Sequence, residues 1–176
     1  VAVVKAGVFS MLKISIYIFG VDFLATTSAS DWLVWVAAFS ILAASIVALS
    51  KTNLKARLAY STISQLGYIV LGAALASPLA VSGAALHIAT HATGKITLFF
   101  CAGAIYVAHH LADIRDMDGL GRRMPITFSA FALGALSIIG VPPLAGAWSK
   151  LMLMGGAMQS EFLIIIFVLA VSSLLN

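Results

Sequence analysis

Three side chains stand where lipid would normally exclude them. His87, His91 and Lys95 recur every four residues inside an apolar run spanning 80–108. In a helix each step of four turns about 40° past a full circle, so the three share one narrow face, with Thr90 beside them. The run is long enough to cross a bilayer, which takes about 20 apolar residues. An ionisable group at that depth costs about 2.5–3.5 kcal/mol on insertion scales, so it is expected to face protein or water. Two imidazoles and an ammonium on one such face have the chemistry of a proton path. Lys5, Lys13 and Lys150 also fall in apolar runs, whereas the acids sit in loops or at the ends of runs. A lysine buried without a carboxylate loses hydration and gains no counter-charge, which makes it a candidate proton carrier. The carboxylate that would drive such a cycle is expected from a neighbouring subunit or from another part of a longer chain.

Lys5, His87, His91, Lys95 and Lys150 are therefore the candidate relay. Ser64, Gln65, Thr90 and Thr93 are candidate supports, bonding between helices or ordering water. Lys13 reads as an interfacial side chain, and so do His109 and His110.

The elements that must position these groups are membrane spans. The sequence is 62% hydrophobic and 9% charged, against about 25% charged residues in soluble domains. The fold class is all-α: a polytopic transmembrane helix bundle of about six spans, one of them broken. The first span covers 1–19 and the second 32–49. The third covers 58–76, with Ser61, Thr62, Ser64 and Gln65 in its first turns. Ser77 and Pro78 make a tight turn into the fourth, since proline suits a helix start. Pro125 opens the fifth span, which is interrupted over 140–146 by Gly140, Pro142, Pro143 and Gly146 and resumes with Lys150 in its first turn. That would place the Lys150 ammonium near the positive end of the second half-helix. Gly155, Gly156 and Glu161 mark a last turn before a sixth span from 162. Irregular backbone at membrane depth survives only when buried in protein or lining a watery cavity, and transporter folds put ion sites at such breaks.

Loop charges give an orientation. Alternating spans put 50–57 and 109–125 on one side, with Lys51, Lys55, Arg57, Arg115, Arg122 and Arg123. They put 20–31, 76–79 and 155–161 on the other, with Asp22, Asp31, Glu161 and no lysine or arginine. The basic side is then the cytoplasm or its organellar equivalent, and Trp32 and Trp35 fall at the outer interface. The net charge of +4 belongs to this arrangement and does not indicate nucleic-acid binding. The single cysteine, Cys101, excludes a disulfide framework and a cysteine metal site.

Several stretches together resemble one family. They are 54–68 (LKARLAYSTISQLGY), 87–99 (HIATHATGKITLF), 113–121 (DIRDMDGLG), and 140–143 (GVPP) followed by Ser149 and Lys150. The short run 4–8 (VKAGV) resembles the family helix that carries a mid-membrane lysine or histidine. The family is that of the proton-conducting antiporter-like membrane subunits, shared by respiratory complex I, the Mrp sodium/proton antiporters and the membrane-bound hydrogenases. The resemblance implies an inverted-repeat fold, of which 1–176 is a single membrane domain: the last helix of the first repeat and most of the second. It implies that Lys5 links half-channels, that Lys95 is a central relay lysine, that Lys150 is the outlet residue, and that His87 and His91 line the axis. It also implies a larger complex of membrane proteins, in a bacterial or archaeal plasma membrane or the mitochondrial inner membrane, with H+ as the ion and Na+ as a second candidate. Gly94 stands where many members carry a bulkier residue, which either admits water or serves packing. The chain reads as a piece of a longer protein or as a split subunit, without the family's first half-channel.

Three functions compete. The first is proton translocation or cation/proton antiport, within a complex I-type NADH:quinone oxidoreductase or an Mrp-type antiporter. The second is a structural remnant that packs against a pumping partner. The third is a redox anchor with a haem on His87 or His91. The sequence holds no phosphate loop, cysteine cluster or dinucleotide motif, so no cofactor is expected and redox chemistry would belong to partners.

Overall fold

The computed structural model describes residues 2–176; Val1, where the expected first span opens, lies outside them. Among the described residues the chain is helical throughout, without a β-strand. Helix α1 (Ala2–Ile14) runs on as one π-helical stretch, Ser15–Phe19, and then turns by 81° at Gly20. Helix α2 (Val21–Thr27) follows, so the expected loop of 20–31 is largely a short helix. Gly20 has φ +82, which explains why a glycine ends the span there. Helix α3 (Asp31–Ser50) and α5 (Pro78–His109) are each long and apolar enough to cross a membrane. At about 1.5 Å per residue, α5 is the longest rod in the fold. Between them lies α4 (Leu54–Ala74), which begins earlier than expected and draws Lys55 and Arg57 into its first turn.

Local chemistry fixes these starts. Asn53 caps α4 by accepting from the Ala56 N–H at 3.1 Å. Ser77 caps α5 by accepting from Ala80 at 3.1 Å, with Pro78 at the first helical position. At the basic end, 109–124 is not simple loop but holds a 3₁₀ turn (Ile114–Met117) and α6 (Leu120–Arg123). The loop before α4 and the loop after α5 are tied by an isolated antiparallel bridge, Asn53 against Asp113. The Leu54 N–H donates to Ala112 O and the Ile114 N–H to Thr52 O, both at 2.9 Å. The Asp113 carboxylate accepts from the Arg115 N–H at 3.0 Å, and that bond, with Thr52 and Arg115 beside it, holds the carboxyl below its ordinary range.

The expected break is present, with different bounds. Helix α7 (Pro125–Ile139) ends at Gly140, φ +92, and α8 (Ala145–Gln159) begins before Gly146. Lys150 consequently lies in the second turn of α8, not the first. Gly155 and Gly156 are helical rather than part of a turn, which instead falls at Ser160–Phe162. Helix α9 (Leu163–Leu175) closes the described chain.

Packing explains those two glycines. Helix α8 lies along α5, with Gly156 against Ala80 so closely that a Cβ would overlap the Ala80 backbone. A Cβ on Gly83 would lie 2.9 Å from Met152 Cβ. Small residues let the backbones approach, as expected where lipid supplies no hydrophobic drive between helices. Two apolar cores result. One joins α1, α3, α4, α5, α8 and α9 around Val34, Ile41, Ile69, Leu71 and Leu153. The other gathers Leu54, Leu58, Leu98, Ile105 and Ile138 toward the basic end. Gly156→Leu should lower stability by about 1–3 kcal/mol or more through overpacking. Gly103→Ala, where nothing lies within 4 Å of the added carbon, should not lower the thermal unfolding midpoint in detergent and, in the interior of α5, should raise it slightly.

Candidate functional site

A line of buried polar groups lies between these cores, built from α1, α4, α5, α8 and α9. Lys95 is 1% exposed, and its stem crosses from α5 to α4. There its Nζ donates to Ser61 Oγ at 2.7 Å and to Leu58 O at 3.3 Å. On its basic side a cavity of about 420 Å³ opens, with Arg57 and Asp118 also on its wall. Its wall is mostly apolar, and Arg57, Ser61, Lys95, Asp118 and Asn176 are the polar groups on it that waters could bond.

Lys150 is 4% exposed. Its ammonium lies not at the positive end of α8 but at the other side of the break. It donates to Ile138 O at 2.6 Å, Ile139 O at 3.0 Å and Ser173 Oγ at 2.6 Å. The two carbonyls belong to the C-terminal turn of α7, which carries partial negative charge. The expectation for the dipole is thereby reversed: the lysine reaches back across the break and satisfies carbonyls the interruption set free. On its other side the Tyr68 ring centroid lies 5.3 Å away.

His87 and His91 stand between the lysines as a stack. The centroids of Tyr68 and His87 are 5.4 Å apart, and those of His87 and His91 5.8 Å. His87 Nδ1 lies 2.9 Å from Ser149 Oγ, and Ser149 donates to Gly146 O at 3.0 Å. With the serine proton so committed, the network assigns the Nδ1–H tautomer to His87 and leaves Nε2 as an acceptor. His87 Nε2, both nitrogens of His91 and both polar atoms of Gln65 are buried without a partner. They face a seam, closed by Ser137, Ile138 and Gly146, that is too narrow for a water molecule. No haem fits edge-on against either histidine there.

Lys5 is 9% exposed on α1, with its Nζ buried and unpartnered. Thr90 is buried in the seam, but Thr93 is not. It is exposed on the outer face of α5 and bonds back to Ala89 O and Thr90 O of its own helix. Lys13 sits outside the bundle, 5.9 Å from the Phe9 and Tyr17 ring centroids. Ser64 and Gln65 are fully buried. Pro142 and Pro143 are exposed on the flank of the bundle, while Gly146 is buried. A Cβ on Gly146 would fall on the Ser137 carbonyl. Gly94 serves packing, since a Cβ there would meet Ile138 at 3.0 Å.

Sequence reasoning did not single out Ser61, Ser149 or Ser173 as lysine and histidine partners, nor Tyr68. The signal available was faint: Ser61, Ser64 and Tyr68 follow helical spacing on one face of α4.

The whole chain, 1–176, matches the family described as NADH:quinone oxidoreductase/Mrp antiporter, TM. It is 43% identical over 142 residues to NADH-quinone oxidoreductase subunit N of Desulforudis audaxviator, covering 81% of this chain and 28% of that protein. It is 38% identical over 159 residues to a probable K(+)/H(+) antiporter component of Rhizobium meliloti, covering 90% of this chain and 15% of that one. The chain thus spans between about a seventh and a quarter of the length of these relatives. Among solved structures it is similar to the Mrp complex from Dietzia, with a TM-score of 0.89 and 26% identity over 97% of this chain and 31% of the other. It is also similar to an archaeal membrane-bound sulfane sulfur reductase, with a TM-score of 0.74 and 29% identity over 83% and 24%. The chain belongs to the NADH:quinone oxidoreductase/Mrp antiporter family.

Ser61→Ala should leave a donor of Lys95 unsatisfied and cost about 1–3 kcal/mol. The check is the unfolding midpoint of the purified protein; Ser82→Ala, on an exposed hydroxyl that bonds only its own helix, should not move it.

Proposed function

We propose that this chain carries protons across an energy-coupling membrane as an antiporter-like subunit of a larger complex. Lys5, His87, His91, Lys95 and Lys150 form the path. One observation carries the reading: Lys95 and Lys150 are buried yet held only by hydroxyl and carbonyl oxygens. An ammonium held by neutral acceptors can release its proton without stranding a buried carboxylate, so each lysine can cycle between two states at low cost. The unpartnered nitrogens of His87 and His91 support the same reading. Buried polar atoms without partners are costly, and a state in which the seam is wet would satisfy them.

In this reading, Lys95 takes protons from the 420 Å³ cavity at the basic end, and Lys150 delivers them beyond the broken helix. Lys5, whose Nζ is unpartnered, connects to the rest of the path and waits on a carboxylate of a neighbouring subunit or segment. The basic loops face the cytoplasm or matrix. Residues 1–176 correspond to the last helix of one repeat and most of the next. Val141, Pro142 and Pro143 are exposed, and irregular backbone at membrane depth needs protein around it. A companion membrane segment is the cover. The driving reaction belongs to other subunits, and H+ is the ion assigned.

The experiment is proton uptake into vesicles that hold the full native assembly. Lys95→Ala and Lys150→Ala should each lower uptake by about tenfold or more, with assembly unchanged on a native gel. Normal uptake in both would reduce the chain to a scaffold.

A further inference from the structure

One aromatic side chain touches both a lysine and a histidine of the path. Tyr68, on α4, is fully buried. Its ring centroid lies 5.3 Å from Lys150 Nζ and 5.4 Å from that of the His87 ring, on which it stacks at an interplanar angle of 17°. Its hydroxyl donates to Leu169 O at 3.1 Å. With that proton committed, the phenol is an anchored ring rather than a member of a proton chain. Ser149 links the same two groups: it meets His87 Nδ1 at 2.9 Å and precedes Lys150 in α8.

The surroundings give such a ring electrostatic weight. No Asp or Glu falls in α1, α4, α5, α7, α8 or α9. The Lys150 ammonium donates to Ile138 O, Ile139 O and Ser173 Oγ, all of them neutral. A proton on His87 meets no acid there either, and its Nε2 has no partner. The face of an aromatic ring carries negative potential. It attracts a cation within about 6 Å of the centroid, most strongly where water is excluded. That attraction acts on the charge and needs no N–H, so it adds to the three bonds of Lys150. It acts equally on an imidazolium stacked on the ring.

We propose that Tyr68 is a positioning residue of the proton path, its ring serving in place of a carboxylate as the counter-charge for positive charge passing between His87 and Lys150. The proposal rests on the proton-carrying reading of those two residues. A carboxylate there would bind the ammonium as a buried ion pair and resist its discharge. The ring offers a weaker attraction to whichever neighbour is charged, and takes no proton itself. The hydroxyl sets the place of the ring through Leu169 O, and the ring electrons act on the charge.

The test uses the full native assembly in vesicles, with Lys150→Ala measured alongside. Tyr68→Phe keeps the ring and gives up the bond to Leu169 O, and should hold proton uptake within about twofold of the unaltered protein. Phenylalanines carrying one, two and three ring fluorines, placed at position 68 by non-natural amino-acid incorporation, keep the shape and drain the face of negative potential. Uptake per assembled complex should fall stepwise with fluorine number, to about a tenth of the Tyr68→Phe value at three. Packing follows ring size rather than ring charge, so a purely structural role gives no such gradient. Should Tyr68→Phe fail to assemble, tyrosines fluorinated once and twice on the ring keep the hydroxyl and carry the same comparison. A flat or rising series in assembled complexes, with Lys150→Ala inactive, overturns the role of the ring and leaves the lysine path standing. If Lys150→Ala itself pumps normally, the reading of the path fails and the role of the ring with it.

Discussion

Lys150 and the interruption of the fifth span satisfy each other, and the architecture around them follows. Hydrocarbon offers no water to a freed carbonyl or to an ammonium. The break frees the carbonyls of Ile138 and Ile139, and Lys150 donates to both. Ser173 joins the same cluster, bonding the lysine and Ile139 O. That cluster pins α9 to α7 and α8. It also places Ile138 where its side chain meets Gly94 of α5, and so sets how closely the helices around Lys95 approach. A polar contact of four groups thereby fixes the relation of four helices.

Much of this could be read from residue types. The four-residue spacing of His87, His91 and Lys95 placed them on one face of one helix, and that face is buried. The proline pair marked the break to within a few residues. Ser77 and Pro78 marked where α5 starts, two residues before the apolar run itself. What periodicity could not give was direction across the break. Position 150 is near the start of α8, and a dipole argument from position alone favours the wrong end of the wrong half-helix. The four-carbon stem of lysine lets the charge sit well away from its backbone, a freedom absent from any helical wheel. Thr93 fails for a related reason. It lies two residues from His91, which turns it to the opposite side of α5, where it bonds back to its own helix.

The serines were the least legible. A hydroxyl in an apolar helix often bonds the carbonyl a turn behind it, and Ser82 and Ser129 do so. Ser45 does this as well and still meets two other helices. Only the assembled bundle separates the two kinds, since one sequence pattern serves both.

The stacked histidines carry a further consequence. The His87 ring stacks with both Tyr68 and His91, at interplanar angles of 17° and 9°. Near-parallel packing against two rings resists a half-turn of the imidazole. The imidazole therefore keeps Nδ1 toward Ser149 and Nε2 toward the seam, like a turnstile locked against spinning. In the path proposed above, protons would enter and leave this ring at two nitrogens whose directions the packing sets, Nδ1 and Nε2.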